Sequence, residues 1–229
     1  MLHRYVIIAL IATLATACSA ANVVNDAATI TVGSGQISPI DIDRSITVGL
    51  DRIPACIEGS VMLPDSGAQL SVANSPNGCA LTLTEPNLVL LDRAEAEQAQ
   101  NQSGPIHFDA DGIKSGKIML QSLEVTGADG QPMDLSRTFE SVSLTIDGQP
   151  MLTRIDPGAL QGDSQLSREL PDPILQEVRS AIRNDEQATA QVSLTLVLSD
   201  SALSQPPDEL DIHAVVQPEF RINVLDAAL

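Results

Sequence analysis

The stretch from Leu210 to Val224 alternates apolar and polar residues with a period of two. Leu210, Ile212, Ala214, Val216, Phe220, Ile222 and Val224 keep one phase; Asp211, His213, Gln217, Glu219, Arg221 and Asn223 keep the other. Successive side chains of a strand point to opposite faces, so this pattern predicts a strand with one face buried and one wet. Pro218 interrupts it and predicts a bulge, a bend or an edge position, because proline has no N–H for a ladder. Val192, Leu194, Leu196 and Leu198 alternate likewise. Shorter runs near 28–33, 44–50, 69–73, 80–84, 87–91, 117–126 and 138–146 read as further strands, and Gly, Pro, Asn and Asp sit between them as turn formers. Asp41 and Asp43 alternate with Ile40 and Ile42 as the solvent face of a strand. The fold class that follows is mainly β: an antiparallel β-sandwich or open barrel with one or two short helices.

Of the two predicted helices, Pro173–Asn184 is amphipathic. Ile174, Val178 and Ile182 fall four residues apart, with Leu175 and Ala181 beside them. Asp172 is placed to cap it, ahead of Pro173 at the first helical position. The stripe predicts packing on the sheet rather than on a membrane, since the polar face carries Glu177 and Asp185 beside only two arginines; an apolar ligand held between sheet and helix is the rival reading. The second helix, Asp92–Gln100, has no apolar face and reads as a solvated helix or linker. Residues 156–173 read as a long loop. Asp129-Gly130-Gln131-Pro132-Met133 recurs as Asp147-Gly148-Gln149-Pro150-Met151. Asp-Gly suits a hairpin turn, since glycine accepts a positive φ, so the repeat predicts a β-meander.

The N-terminus carries different information. His3 and Arg4 precede an uncharged run from Tyr5 to Ala17. A basic start, a short apolar segment and small residues at its end make a secretory signal. A membrane-spanning helix needs about 20 apolar residues, and this run is too short. Leu14-Ala15-Thr16-Ala17-Cys18 resembles the lipobox of bacterial lipoprotein precursors, with Ala15 where the usual leucine stands and Leu14 one place earlier. The resemblance implies that residues 1–17 are removed and that Cys18 is lipidated as the new N-terminus. Ordinary cleavage after Ala17, leaving Cys18 as a free thiol, is the alternative. Lipidation implies a membrane partner through the anchor, and Ser19, rather than an acid, implies sorting to the outer membrane. Residues 18–27 then form the lipidated N-terminus and tether, and 28–229 a β-rich body. The composition of 92–105 also allows a subdivision there.

The cysteine count supports the same address. With Cys18 assigned to the anchor, Cys56 and Cys79 remain as a pair, which in an exported protein predicts a disulfide. A metal site is the competing reading, and it calls for more thiols or histidines nearby. Formal charge is −18, and loss of Arg4 makes the mature chain one unit more negative. Such a chain is repelled by nucleic-acid phosphates, so nucleic acid is not an expected partner. The mature chain has no Trp or Tyr and only Phe108, Phe139 and Phe220, which disfavours sugar binding by ring stacking.

Catalytic chemistry is not signalled. No nucleophile-elbow, zinc-protease, P-loop or dinucleotide fingerprint occurs, and Gly33-Ser34-Gly35 reads as a turn. His213 falls on the polar face of its strand. Around His107, the run Asp109-Ala110-Asp111-Gly112 is similar to part of a calcium loop, which makes Asp109 and Asp111 weak metal candidates. The loop's first-position acid would fall on His107 and its closing Glu on Ile118, so a plain turn is the expectation. No cofactor is implied. The sequence thus predicts a lipid-anchored, disulfide-stapled, non-catalytic envelope protein acting as a binding or structural module, its partner, a protein or a small apolar ligand, left unidentified, with a carrier of a lipid or apolar ligand as the alternative.

Overall fold

The computed structural model describes residues 29–47, 50–64, 66–76, 78–101, 110–160 and 166–223. The signal, Cys18, the tether, His107 and Asp109 lie outside the described residues. Eleven strands form two packed sheets, an antiparallel β-sandwich. The first sheet joins β1 (Thr29–Val32), β2 (Ile40–Ile46), β11 (Leu210–Asn223), β6 (Ile113–Thr126) and β9 (Leu166–Glu169). The second runs β3 (Gly59–Met62), β4 (Gln69–Ser75), β5 (Gly78–Leu91), β10 (Ala188–Leu198), β7 (Phe139–Ile146) and β8 (Gln149–Ile155). β2 pairs with β11 and β5 with β10, so both sheets draw strands from either side of 92–105.

The alternating phase read in β11 is the buried one: Leu210, Ile212, Ala214, Val216, Phe220 and Ile222 all enter the core. The facing sheet contributes Leu81, Leu83, Val192, Leu194, Leu196 and Leu144. Pro218 lies in the interior of β11 and is tolerated for a specific reason. β2 covers Leu210–Val216 on one side and β1 covers Phe220–Asn223, so residues 217–219 have no strand partner on that side. The buried Gln217 fills the gap, its Nε2 donating to Ile37 O at 3.2 Å and Pro218 O at 2.9 Å.

Several boundaries differ from the sequence expectation. The strand expected over 44–50 is β2, displaced to 40–46, and Leu50–Ala55 is a 3-10 helix. The two runs at 80–84 and 87–91 are one strand, because Pro86 and Asn87 (φ 56°) form a bulge opposite β10 rather than a turn. β9 occupies part of the predicted loop, and β3 and two short helices, α2 (Leu135–Thr138) and α4 (Asp200–Ser204), carry too little pattern to be read. The meander prediction holds for one copy of the repeat only. Asp147 (φ 47°) and Gly148 (φ 72°) turn β7 into β8, but Asp129 and Gly130 turn the chain out of the first sheet towards α2 and the second.

Both predicted helices form, as α1 (Arg93–Asn101) and α3 (Asp172–Arg183). The cap of α3 is Pro171 rather than Asp172, whose own backbone is already helical. Ile174, Leu175, Val178 and Ile182 are buried. α1 is neither solvated all round nor a linker: Ala96 is buried, the helix packs on β1, and Arg93 pairs with Asp185 at the end of α3.

Candidate functional site

Cys56 and Cys79 are joined in a disulfide that ties the turn after Leu50–Ala55 to the start of β5. Cys79 is fully buried. Asp111 lies in a 3-10 turn, Ala110–Gly112, and forms an ion pair with Arg183 of α3 at 2.5 Å. Arg179, one turn earlier, donates to Ile113 O from Nε (2.9 Å) and Nη2 (2.6 Å). The Asp111 region is thereby a fastening of α3 to β6. His213 stands on the wet face of the first sheet, opposite Asp43 and Glu124, with Nε2 2.9 Å from Asp41 Oδ1. Among the described residues no group of three or more His, Cys, Asp or Glu side chains has an arrangement that could hold a metal ion.

The sequence reading missed a pair of charges inside the sandwich. Arg44 occupies an inward position of β2, in phase with Ile40, Ile42 and Ile46, and Glu85 one of β5, in phase with Leu81 and Leu83. Arg44 Nη2 donates to Glu85 Oε2 at 2.9 Å, and Nε approaches Oε1 at 2.6 Å. The second approach is a charge contact whose angle falls outside a hydrogen bond. Glu85 is 2% exposed and Arg44 29%, so the carboxylate is sealed while the guanidinium reaches the rim. A charged residue at an apolar phase in each of two strands, of opposite sign, was the available signal.

Near α1, Asp92 is held below the usual carboxylate range, first by the side-chain hydrogen bond from Gln187 and then by the Ala94 N–H. Those bonds measure 2.6 and 2.7 Å. Burial opposes them. Glu95 accepts from Ser38 Oγ at 2.6 Å. The hollow that these groups share with Asp41 has a volume of about 450 Å³. Beside α3 a hollow of about 290 Å³ is lined by Ile174, Val178 and Ala181 of that helix and by Leu90, with Asp147, Glu177 and Glu186 among them. Ile174 and Val178 are also core residues, each at most 2% exposed, so the hollow meets the core at α3.

The wet face of the second sheet has a different character. Ser60, Ser71, Thr82, Thr195 and Ser143 lie in one row across five strands, and Gln69, Thr84, Ser193 and Thr145 in the next. Thr82 and Thr195 hydroxyls bond at 2.9 Å, Thr84 and Ser193 at 3.0 Å. No charge interrupts either row. Neighbours in such a grid stand about 4.8 Å apart between strands, and Ser143 Oγ accepts from Arg154 N at 3.0 Å.

No protein-family model matches the chain, and no curated protein sequence matches it.

Proposed function

We propose that this is a bacterial envelope protein, held in the outer membrane by a lipid on Cys18, whose β-sandwich acts as a non-catalytic binding or structural module. The observation that carries this reading is the Cys56–Cys79 disulfide. A disulfide suits an exported protein, and it leaves Cys18 as the odd cysteine of three, standing where the lipobox resemblance needs it. Several acyl chains on that residue anchor stably, whereas a single chain anchors only marginally. The non-catalytic half is supported by how the charged and polar groups are used. Glu85 is spent on Arg44, Gln217 on backbone carbonyls, and Asp111 on Arg183. The alternative, a carrier of an apolar ligand under α3, is less well supported, because Leu175 and Ile182 are core residues and the hollow that Ile174, Val178 and Ala181 line is shared with Asp147, Glu177 and Glu186.

Detergent phase partition tests the anchor. The wild-type chain is expected in the detergent phase and Cys18→Ala in the aqueous phase. Equal partition of the two would reject anchorage.

A further inference from the structure

The chain is strongly acidic, yet its basic residues are not spread evenly. Lys114 and Lys117 are the only lysines in the sequence, and they stand three residues apart in β6. Arg221 lies exposed on the adjacent β11, opposite Ser115 and Thr31, with no carboxylate facing it across either strand. Arg179 of α3 binds the backbone of Ile113 and Lys114, and Arg183 pairs with Asp111 at the same corner. Of the 12 Lys and Arg residues, five thus gather where β6 begins and β11 ends. Carboxylates answer some of them: Lys117 pairs with Glu219 at 2.9 Å and stands opposite Glu169. The other half of the same outer face is acidic. Asp41, Asp43, Glu124 and Asp211 stand around His213 there, and Arg44 turns inward to Glu85.

The chain enters the sandwich at this basic half. β1 starts at Thr29, paired with Asn223, the last residue of β11. Residues 19–28 separate Thr29 from Cys18, and a stretch of that length spans at most about 35 Å. We propose that the basic half of the first sheet rests on anionic phospholipid headgroups of the membrane that holds Cys18, with the acidic half turned away. This depends on the anchor reading above and adds an orientation to it. The net charge of −18 does not decide the contact, because charges more than about 10 Å from the surface are largely screened. Arg221 and His213 belong to one strand and stand about 27 Å apart along it, so the acids around His213 lie beyond that length. Only the residues at the contact feel the surface, where each Lys or Arg shifts the bound-to-free ratio about fivefold.

The test adds the full, lipidated chain from mild detergent to preformed vesicles of phosphatidylcholine, with or without phosphatidylglycerol. Sedimentation reads the anchor. Acylation of Lys114 and Lys117 by a water-soluble amine reagent, followed by peptide mass, reads the face, since no other lysine competes. Both kinds of vesicle are expected to retain the chain. Acylation is expected to be slower by about fivefold or more on the anionic vesicles at about 0.1 M salt. At about 1 M salt, where the Debye length falls to about 3 Å, the two rates should be equal. Arg221→Glu is expected to remove the protection with melting unchanged, whereas Arg137→Gln, on α2 beside the start of β7, keeps it. Retention by neither kind of vesicle rejects the anchor and this orientation with it. With the chain retained by both, three results overturn the orientation alone: equal acylation rates at low salt, protection that survives high salt, or protection that survives Arg221→Glu.

Discussion

Removing Arg44 should cost this protein more than removing Glu85, although the two form one ion pair. Breaking a buried pair costs about 3–5 kcal/mol, because the surviving charge is left in a low-dielectric interior. Here the survivors differ. After Arg44→Met, Glu85 stays 2% exposed with no cation opposite it, so the cost should reach about 3 kcal/mol or more. After Glu85→Leu, the guanidinium starts 29% exposed, already bonds Asp43 O at 2.7 Å, and can swing to water. That variant should lose about 1 kcal/mol, the scale of one net hydrogen bond. The double variant restores an apolar contact between β2 and β5 and should be near wild type, since apolar replacement of a buried pair is often neutral. Urea unfolding followed by far-ultraviolet circular dichroism is the assay, because residues 18–229 include neither Trp nor Tyr to report by fluorescence. An unchanged m-value would show that midpoint shifts report stability. The reasoning fails if Glu85→Leu is the worse single change, or if the double variant is as unstable as Arg44→Met.

Three further outcomes follow from the same structure. Reducing the Cys56–Cys79 bridge, which spans 23 residues, should cost about 3 kcal/mol in the chain-entropy model, read as a lower urea midpoint. A midpoint insensitive to reductant would contradict it. Gly116 faces Phe220 across β6 and β11, and a Cβ there would stand 2.8 Å from both Phe220 Cδ1 and Leu170 Cδ1. Gly116→Ala should therefore destabilise by about 1–3 kcal/mol through overpacking, and a neutral result would count against the register. Gln187→Leu should raise the pKa of Asp92 towards its ordinary value, measured by carboxyl NMR titration. The lowered value in the folded protein contributes stability above the unfolded pKa and loses it as the pH falls through the folded one. The variant should thus be less sensitive to acid than wild type over that window.

What could be read from the sequence depended on how regular each strand is. β10 and β11 were legible because their wet faces are polar and their inward phase is unbroken over their length. β6 was harder, since Gln121 and Lys114 are extra residues opposite β11 and each flips the buried phase, from Val125 and Leu123 to Leu120 and Ile118 and then to Ile113. β3 and β9 have four residues each, too few for a period to emerge. The Arg44–Glu85 pair was written in the alternation, but a charge at an apolar position reads as noise until the partner strand is known. That β3 is an edge could not be read at all, because being an edge is a property of strand order.

The central claim is that Cys18 becomes a lipidated N-terminus. The intact mass of the mature chain, with fragmentation of its first residues, addresses it directly. The account predicts a chain that begins at Cys18 and carries acyl groups on that residue. A chain that begins at Cys18 with a free amine and thiol, or one that retains residues 1–17, would contradict it.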